Sequence, residues 1–214
     1  EANATLLMHT SANDPNGQDL FAIINALDLQ NKEVLISGAK VSPDALVNIY
    51  NAADCTINIS DAEGFGLATF ESLACGTPII TTMTGGLQEQ VTVIKDMTQK
   101  KMTTRNNKNK SVTEYEHGIG LEPASKAIIG SQEVPFIYED RLSEEIVSSG
   151  LMKMYEFGPT KRKELGEAGR QHVLQNYNFE NFATKWEKII TDTHKKHGSW
   201  ETRENYKAWE LLEV

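Results

Sequence analysis

The sequence predicts an α/β fold: a Rossmann-like parallel sheet with flanking helices, followed by a helical carboxyl-terminal region. Three observations predict it. Residues 5–82 alternate strand and helix patterns, four strands with three helices between them. The strand segments are short and mostly apolar, as strands covered on both faces should be. From Arg141 onward only helical periodicity is found. Parallel strands joined through helices imply right-handed crossovers, with ligands bound at the carboxyl edge of the sheet.

Residues 5–10 (TLLMHT) read as a short buried strand, and the turn-rich SANDPNG follows. Residues 17–28 set Leu20, Ile23, Ile24 and Leu27 on one helical face. Residues 33–37 (EVLIS) form a second strand, ended by Gly38. Ser42 and Pro43 open a helix, because a hydroxyl caps free amides and proline suits the first helical position. Leu46, Ile49, Tyr50 and Ala53 are its buried stripe. Residues 55–60 (CTINIS) are a third strand, and a glycine-punctuated turn over 61–66 leads into a helix ending near Cys75 and Gly76. Residues 78–82 (PIITT) are a fourth strand, before Gly85 and Gly86. Residues 118–123 (GIGLEP) read as a fifth. Helices follow over roughly 141–156, 160–175 and 179–194, separated by Gly158-Pro159 and by Tyr177-Asn178.

A chain of 214 residues with 39% hydrophobic and 24% charged residues can bury a core without disulfide or metal staples. The net charge of -9 argues against a nucleic-acid-coating protein. Cys55 and Cys75 both lie in apolar segments, which reads as buried thiols in a reducing compartment. There is no CxxC or HxxxH pair, so no zinc site is expected, and His194 and His197 in HKKH read as a solvated helix end. No apolar run approaches the roughly 20 residues that span a bilayer, and residues 1–15 lack a basic signal-peptide region. A cytoplasmic location is the expectation. The start at Glu1 rather than Met reads as a fragment.

Residues 95–110 carry Lys95, Lys100, Lys101, Arg105, Lys108 and Lys110 against one acid, Asp96. Two readings stand: a solvated loop, or a basic flap reaching a phosphate or an anionic acceptor. The tail holds Trp200, Tyr206, Trp209, Leu211 and Leu212, an aromatic surface that should pack on something further.

The informative segment is SDAEGFGLATFESLACGTPIITTMTGG, residues 60–86. It follows a strand and opens a helix at the sheet's carboxyl edge, where free helix amides and the positive helix end favour a phosphate. Gly64 and Gly66 remove side chains, so backbone amides can approach a ligand. An acidic protein can thus hold a diphosphate. Glu63 precedes the turn and Glu71 lies eight residues later on the helix. Carboxylates accept hydrogen bonds from hydroxyls and repel phosphates. Acid, amides and acid in that order suit a sugar, a diphosphate and a ribose. A lone Glu on a helix is otherwise a solvated face.

This segment resembles the donor-binding signature of GT-B glycosyltransferases, in the large retaining, family 4-like group (glycosyl transferases group 1). The matching residues are Glu63-Gly64-Phe65-Gly66-Leu67, then Glu71-Ser72-Leu73-Ala74-Cys75-Gly76-Thr77-Pro78, then Gly85-Gly86-Leu87-Gln88-Glu89. Residues 50–60 resemble that group's lead-in; the likeness covers residues 5–90 well and 117–194 more loosely. The resemblance implies one half of a GT-B fold, the carboxyl-terminal donor-binding domain. It implies that Glu63, the catalytic candidate, contacts hydroxyls of the transferred sugar, and that Gly64, Phe65, Gly66 and Leu67 offer amides to sugar and diphosphate. Glu71 would hold the ribose, and Gly38, Lys40 and Val41 would border the base. It also implies a metal-independent enzyme without cofactor, consistent with the lack of a DxD motif. The nucleotide-sugar would be substrate, a GDP-hexose such as GDP-mannose favoured over a UDP-sugar, and configuration would be retained. The acceptor, a glycan, lipid or protein hydroxyl, is left open.

On this reading residues 1–140 form the nucleotide-sugar-binding layer, with 95–116 a basic excursion. Residues 141–214 complete the domain, their tail packing on an amino-terminal domain that is absent, along with the group's basic diphosphate pair. Because many enzymes of that group use lipid-linked acceptors, the resemblance also raises the expectation of peripheral contact with the cytosolic face of a membrane through residues 95–110.

Three rival readings stand beside it. An NAD(P)-dependent oxidoreductase would need a third glycine where Thr69 stands and an acid after residues 78–82. A glycosidase would need both carboxyls across one bond. A non-catalytic nucleotide-sugar-binding module is separated only by a turnover assay.

Overall fold

The computed structural model describes residues 3–15, 17–92 and 111–202. The basic stretch 95–110 and the tail residues Tyr206, Trp209, Leu211 and Leu212 lie outside the described residues. The chain is α/β, with a helical carboxyl-terminal region.

The first unit is β1 (Leu6–Met8), α1 (Leu20–Ala26) and β2 (Val34–Ile36), with β1 parallel to β2. Next come α2 (Pro43–Ala52), β3 (Thr56–Asn58), α3 (Leu67–Ala74), β4 (Ile79–Thr82) and α4 (Leu87–Val91). Beyond the undescribed stretch lie β5 (Val112–Tyr115) and β6 (Gly118–Leu121). The main sheet has the order β3-β4-β6-β5; β3, β4 and β6 are parallel and β5 is an antiparallel edge. A hairpin, β7 (Ser125–Ile129) and β8 (Ile137–Arg141), precedes the helices α5 (Glu144–Glu156), α6 (Gly158–Asn176) and α7 (Phe179–His197).

The core is built on β4, whose four residues are all buried. Successive strand side chains face opposite ways. Ile79 therefore joins Leu73, Met83, Val91 and Val173 on one face. Ile80 joins Ile119, Leu121 and Met154 on the other, under α5. Each fully buried Leu or Ile here contributes about 1.5–3 kcal/mol. Together they fix the carboxyl end of β4 against that of β3, where the candidate loop begins.

One sequence expectation is corrected. Residues 5–10 do not form a buried strand of the main sheet: β1 pairs with β2 in a separate two-stranded sheet, and Leu6 and Leu7 are 45% and 42% exposed. The expected face of α1 is likewise open, with Ile23 and Leu27 exposed and no residue buried. The apolar letters are present, but among the described residues no layer covers them on both faces. The stripe expected to be buried on α2, Leu46, Ile49, Tyr50 and Ala53, is half-buried, while the helix starts follow the pattern. Ser42 accepts a hydrogen bond from the Ala45 amide at 3.3 Å, with Pro43 opening α2. Ser143 and Asn178 cap α5 and α7 in the same way. No helix among the described residues is long and apolar enough to cross a membrane.

Candidate functional site

The loop joining β3 to α3 is assembled by groups that grip its backbone. Asn58 ends β3 with a side-chain turn, its Oδ1 accepting from the Ser60 amide at 3.0 Å and the Ser60 hydroxyl at 2.7 Å. Asp61 is held twice: its carbonyl accepts from the Asp140 amide at 2.8 Å, and its carboxylate pairs with Arg141, which also binds Glu139. The β7–β8 hairpin is thereby tied to the start of the loop.

Glu63 is half-buried, whereas Gly64 is exposed with open space where a Cβ would stand. Gly66 is buried in the left-handed conformation at φ 87°, the cap residue of α3. A Cβ there would lie 2.5 Å from Leu87 and 2.8 Å from the Thr69 hydroxyl, so both conformation and space demand glycine.

A second loop backs the first. A Cβ on Gly85 would stand 1.7 Å from the Glu63 carbonyl oxygen, and one on Gly86 2.5 Å from that of Gly64. The Gly86 amide donates to the Glu63 carbonyl at 3.3 Å. Two backbones pack directly, with no side chain between them.

Behind both lies a buried polar cluster. Gln90, 1% exposed, donates from Nε2 to the carbonyls of Phe65 and Gly66. Its Oε1 accepts from the Thr69 hydroxyl at 2.6 Å. His117 Nδ1 donates to the Gln90 main-chain carbonyl at 2.7 Å. The Phe65 ring packs on Phe70 and Tyr177, and Tyr177 meets His172, which stacks 4.7 Å from His117. Burial, then the neighbouring His117, holds the His172 imidazole below its ordinary pKa.

Glu71 lies on the same helix as the loop's last amides. It is exposed, and its Oε2 accepts a hydrogen bond from the Tyr50 hydroxyl at 2.9 Å. Burial and then that hydrogen bond raise the Tyr50 phenol above its usual range. The Cys55 thiol is pushed up to about 11 by burial.

Glu63, Gly64, Phe65, Gly66 and Leu67 therefore share one supported turn, with Glu71 one helical turn beyond Leu67. Gly38, Lys40 and Val41 stand apart. Among the described residues no hydrogen bond or ion pair joins them to this turn, and Gly38 instead borders a cavity of about 600 Å³ beside α1. Sequence reasoning missed Gln90, Thr69, His117 and Arg141 as supports, and read Tyr50 only as core. The nearest signal was Gly85-Gly86, which did mark a second loop. Among the described residues no group of three or more His, Cys, Asp or Glu could hold a metal ion.

Comparison with known proteins adds a family match over part of the chain. Residues 15–106 match the family model described as glycosyl transferases group 1. A D-inositol 3-phosphate glycosyltransferase of Acidothermus cellulolyticus is 44% identical over 66 residues, covering 31% of this chain and 15% of the relative. Among solved structures, sucrose-phosphate synthase from Thermosynechococcus elongatus is similar at TM-score 0.56 and 20% identity, over 89% of this chain and 38% of that one. Anabaena HepE in complex with UDP is similar at TM-score 0.57 and 15% identity, over 89% of this chain and 50% of that one. The matched part of the chain thus spans half or less of each of these proteins. At such identities the two structures show the fold alone, and that fold is GT-B-like.

Proposed function

We propose that this chain is the donor-binding half of a sugar transferase, because residues 15–106 match the family model described as glycosyl transferases group 1. The diphosphate of a nucleotide-sugar lies against the amides of residues 64–67. Glu63 accepts from sugar hydroxyls and Glu71 from those of the ribose. The single observation that carries the reading is the turn itself. Its carbonyls are gripped from the buried side by Gln90 and its backbone is braced by Gly85 and Gly86, while its outer side at Gly64 is open.

As the bond from anomeric carbon to diphosphate breaks, negative charge grows on the leaving oxygen. Amides already pointing at that oxygen stabilise it without reorganising. Tyr50 fixes the Glu71 carboxylate by one hydrogen bond and leaves its other lone pairs for a ligand. We take the transferred group to be a hexose, mannose for preference, with retention of configuration, no metal and a cytoplasmic reaction. UDP bound to HepE makes a UDP-sugar the competing donor. The base-bordering role of Gly38, Lys40 and Val41, and the division at residue 140, belong to the same proposal. So does membrane contact by residues 95–110, which anionic vesicles at low and high salt would test. The exposed stripe Phe179, Phe182, Trp186, Ile189 and Ile190 on α7 suits packing on an amino-terminal domain.

Calorimetric titration of the chain with GDP, UDP and ADP tests the reading. Binding of one of them, weakened at least tenfold by Glu71→Ala, is the expected result. No binding of any of the three, or unchanged affinity in the variant, refutes it. Product formation from labelled nucleotide-sugar by the full-length protein separates transferase from binding module.

A further inference from the structure

We propose that Gln90 is a positioning residue for the diphosphate: its buried carboxamide sets the direction in which the Gly66 amide points and reinforces that of the Leu67 amide. This rests on the reading of residues 64–67 as a diphosphate cradle. The argument is one of peptide geometry. In a trans peptide the carbonyl and the following N–H are antiparallel, and no cis peptide occurs among the described residues. The Phe65 carbonyl shares its peptide with the Gly66 amide, and the Gly66 carbonyl shares its own with the Leu67 amide. Gln90 Nε2 donates to both carbonyls from beneath the loop. Both N–H groups must then point away from Gln90, toward the side where Gly64 and Leu67 are exposed.

Such a grip is needed at this place. The Gly66–Leu67 peptide is already pinned by α3, its carbonyl accepting from the Phe70 amide and the Thr69 hydroxyl, each at 3.0 Å; glycine at 66 leaves rotation of the preceding Phe65–Gly66 peptide cheap, so sterics alone do not choose which face it presents. A flip of the Phe65–Gly66 peptide would offer a carbonyl oxygen to an anion. It would also leave a buried Nε2 hydrogen unpaired. The two loop carbonyls can only accept, so the carboxamide end that faces them is the nitrogen, and Oε1 is left to accept from the Thr69 hydroxyl at 2.6 Å. The Gln90 backbone is held in turn by His117 at 2.7 Å. Gln90 touches no ligand on this account; it acts through the two peptides.

The test is the ratio of nucleoside-diphosphate affinity to nucleoside affinity. It is measured by calorimetry on this chain, with UDP, GDP and ADP set against uridine, guanosine and adenosine. Gln90→Met keeps the volume and removes both donors. It should lower that ratio by about tenfold or more while nucleoside binding holds, since a general loss of structure would weaken both ligands alike. Gln90→Glu keeps the acceptor for Thr69 but faces two carbonyls with a carboxylate. Its ratio should be low near pH 8 and recover toward pH 6, where a protonated carboxyl can donate once more. Should Gln90→Met not fold, the Gln90→Glu profile decides alone. A ratio within twofold of the parent in a folded variant, or a flat Gln90→Glu profile, overturns the inference while the cradle stands. A parent chain that binds none of the three nucleotides overturns the cradle and this inference with it.

Discussion

Gly86→Ala should disable the candidate turn without straining its own backbone. Gly86 sits at φ -69° and ψ -18°, a conformation any residue adopts, so the cost is purely steric. The new Cβ would lie 2.5 Å from the Gly64 carbonyl oxygen and 2.9 Å from the Phe65 Cα. A carbon meets a carbonyl oxygen comfortably at about 3.3–3.6 Å, so the loop must retreat by roughly 0.8–1.1 Å. Overpacking of that size costs about 1–3 kcal/mol of stability. The larger effect falls on the amides of Gly64 and Phe65, which move with the loop. A hydrogen bond to a charged group contributes about 1.5–3 kcal/mol, so losing one weakens diphosphate binding by roughly 10- to 150-fold. Calorimetry with the best-bound nucleoside diphosphate, beside thermal melts, reads both quantities. Gly64→Ala is the stability control: its Cβ meets nothing within 4 Å, so its melting temperature should match the parent's. A folded Gly86→Ala chain that binds within twofold of the parent would refute the reasoning.

Three further outcomes are expected. Glu71→Gln should bring the Tyr50 titration down toward the ordinary phenol range, because the carboxylate is one of the causes that raise it; an unmoved ultraviolet titration would count against the pairing. In the full-length protein, Glu63→Ala should cut turnover more than nucleoside-diphosphate affinity, and full activity would end its assignment to the sugar. His172 titrates below its ordinary value of about 6.5 when folded, so the unfolded chain binds the extra proton first. Its stabilising share is complete above about 6.5 and is lost as pH falls through the lower folded value. Melting temperature should therefore drop on acidification from pH 7.5 to about 5, and drop less in His172→Gln; equal slopes would dismiss the effect.

The fold was legible where burial is written into successive letters. β4 reads IITT and lies between two strands under helices on both faces, so every position is apolar or β-branched. Helix starts at Ser42 and Asn178 were legible because a cap is a local hydrogen bond. β5 and the β7–β8 hairpin were not, because VTEY, SKAII and IYEDR mix charge into edge strands. α4 is five residues long, too short for periodicity to declare it. The opposite error fell on β1. An apolar run states that a strand would tolerate burial, not that anything covers it, and Leu6 and Leu7 stand exposed.

The candidate site divides along the same line. Its outward members, Glu63, Gly64 and Glu71, fall within nine residues and, with the buried Gly66 between them, were readable as a spacing. Its supports are scattered: Gln90 lies 25 positions from Phe65, and Arg141 lies 80 from Asp61. They also carry no telling chemistry. A glutamine on a short helix reads as a solvated residue until its two donors are seen spent on two carbonyls. The arginine at the loop is balanced by Asp61 and Glu139. Neutral or balanced groups can orient a backbone without adding net charge to the site. An acidic chain can then present an anion site by aiming peptide dipoles, and such a site leaves almost no mark on composition. What it does leave is glycine, where one backbone must touch another at Gly85 and Gly86 or turn left-handed at Gly66. The glycines were the visible half of a device whose other half, Gln90, appears only in three dimensions.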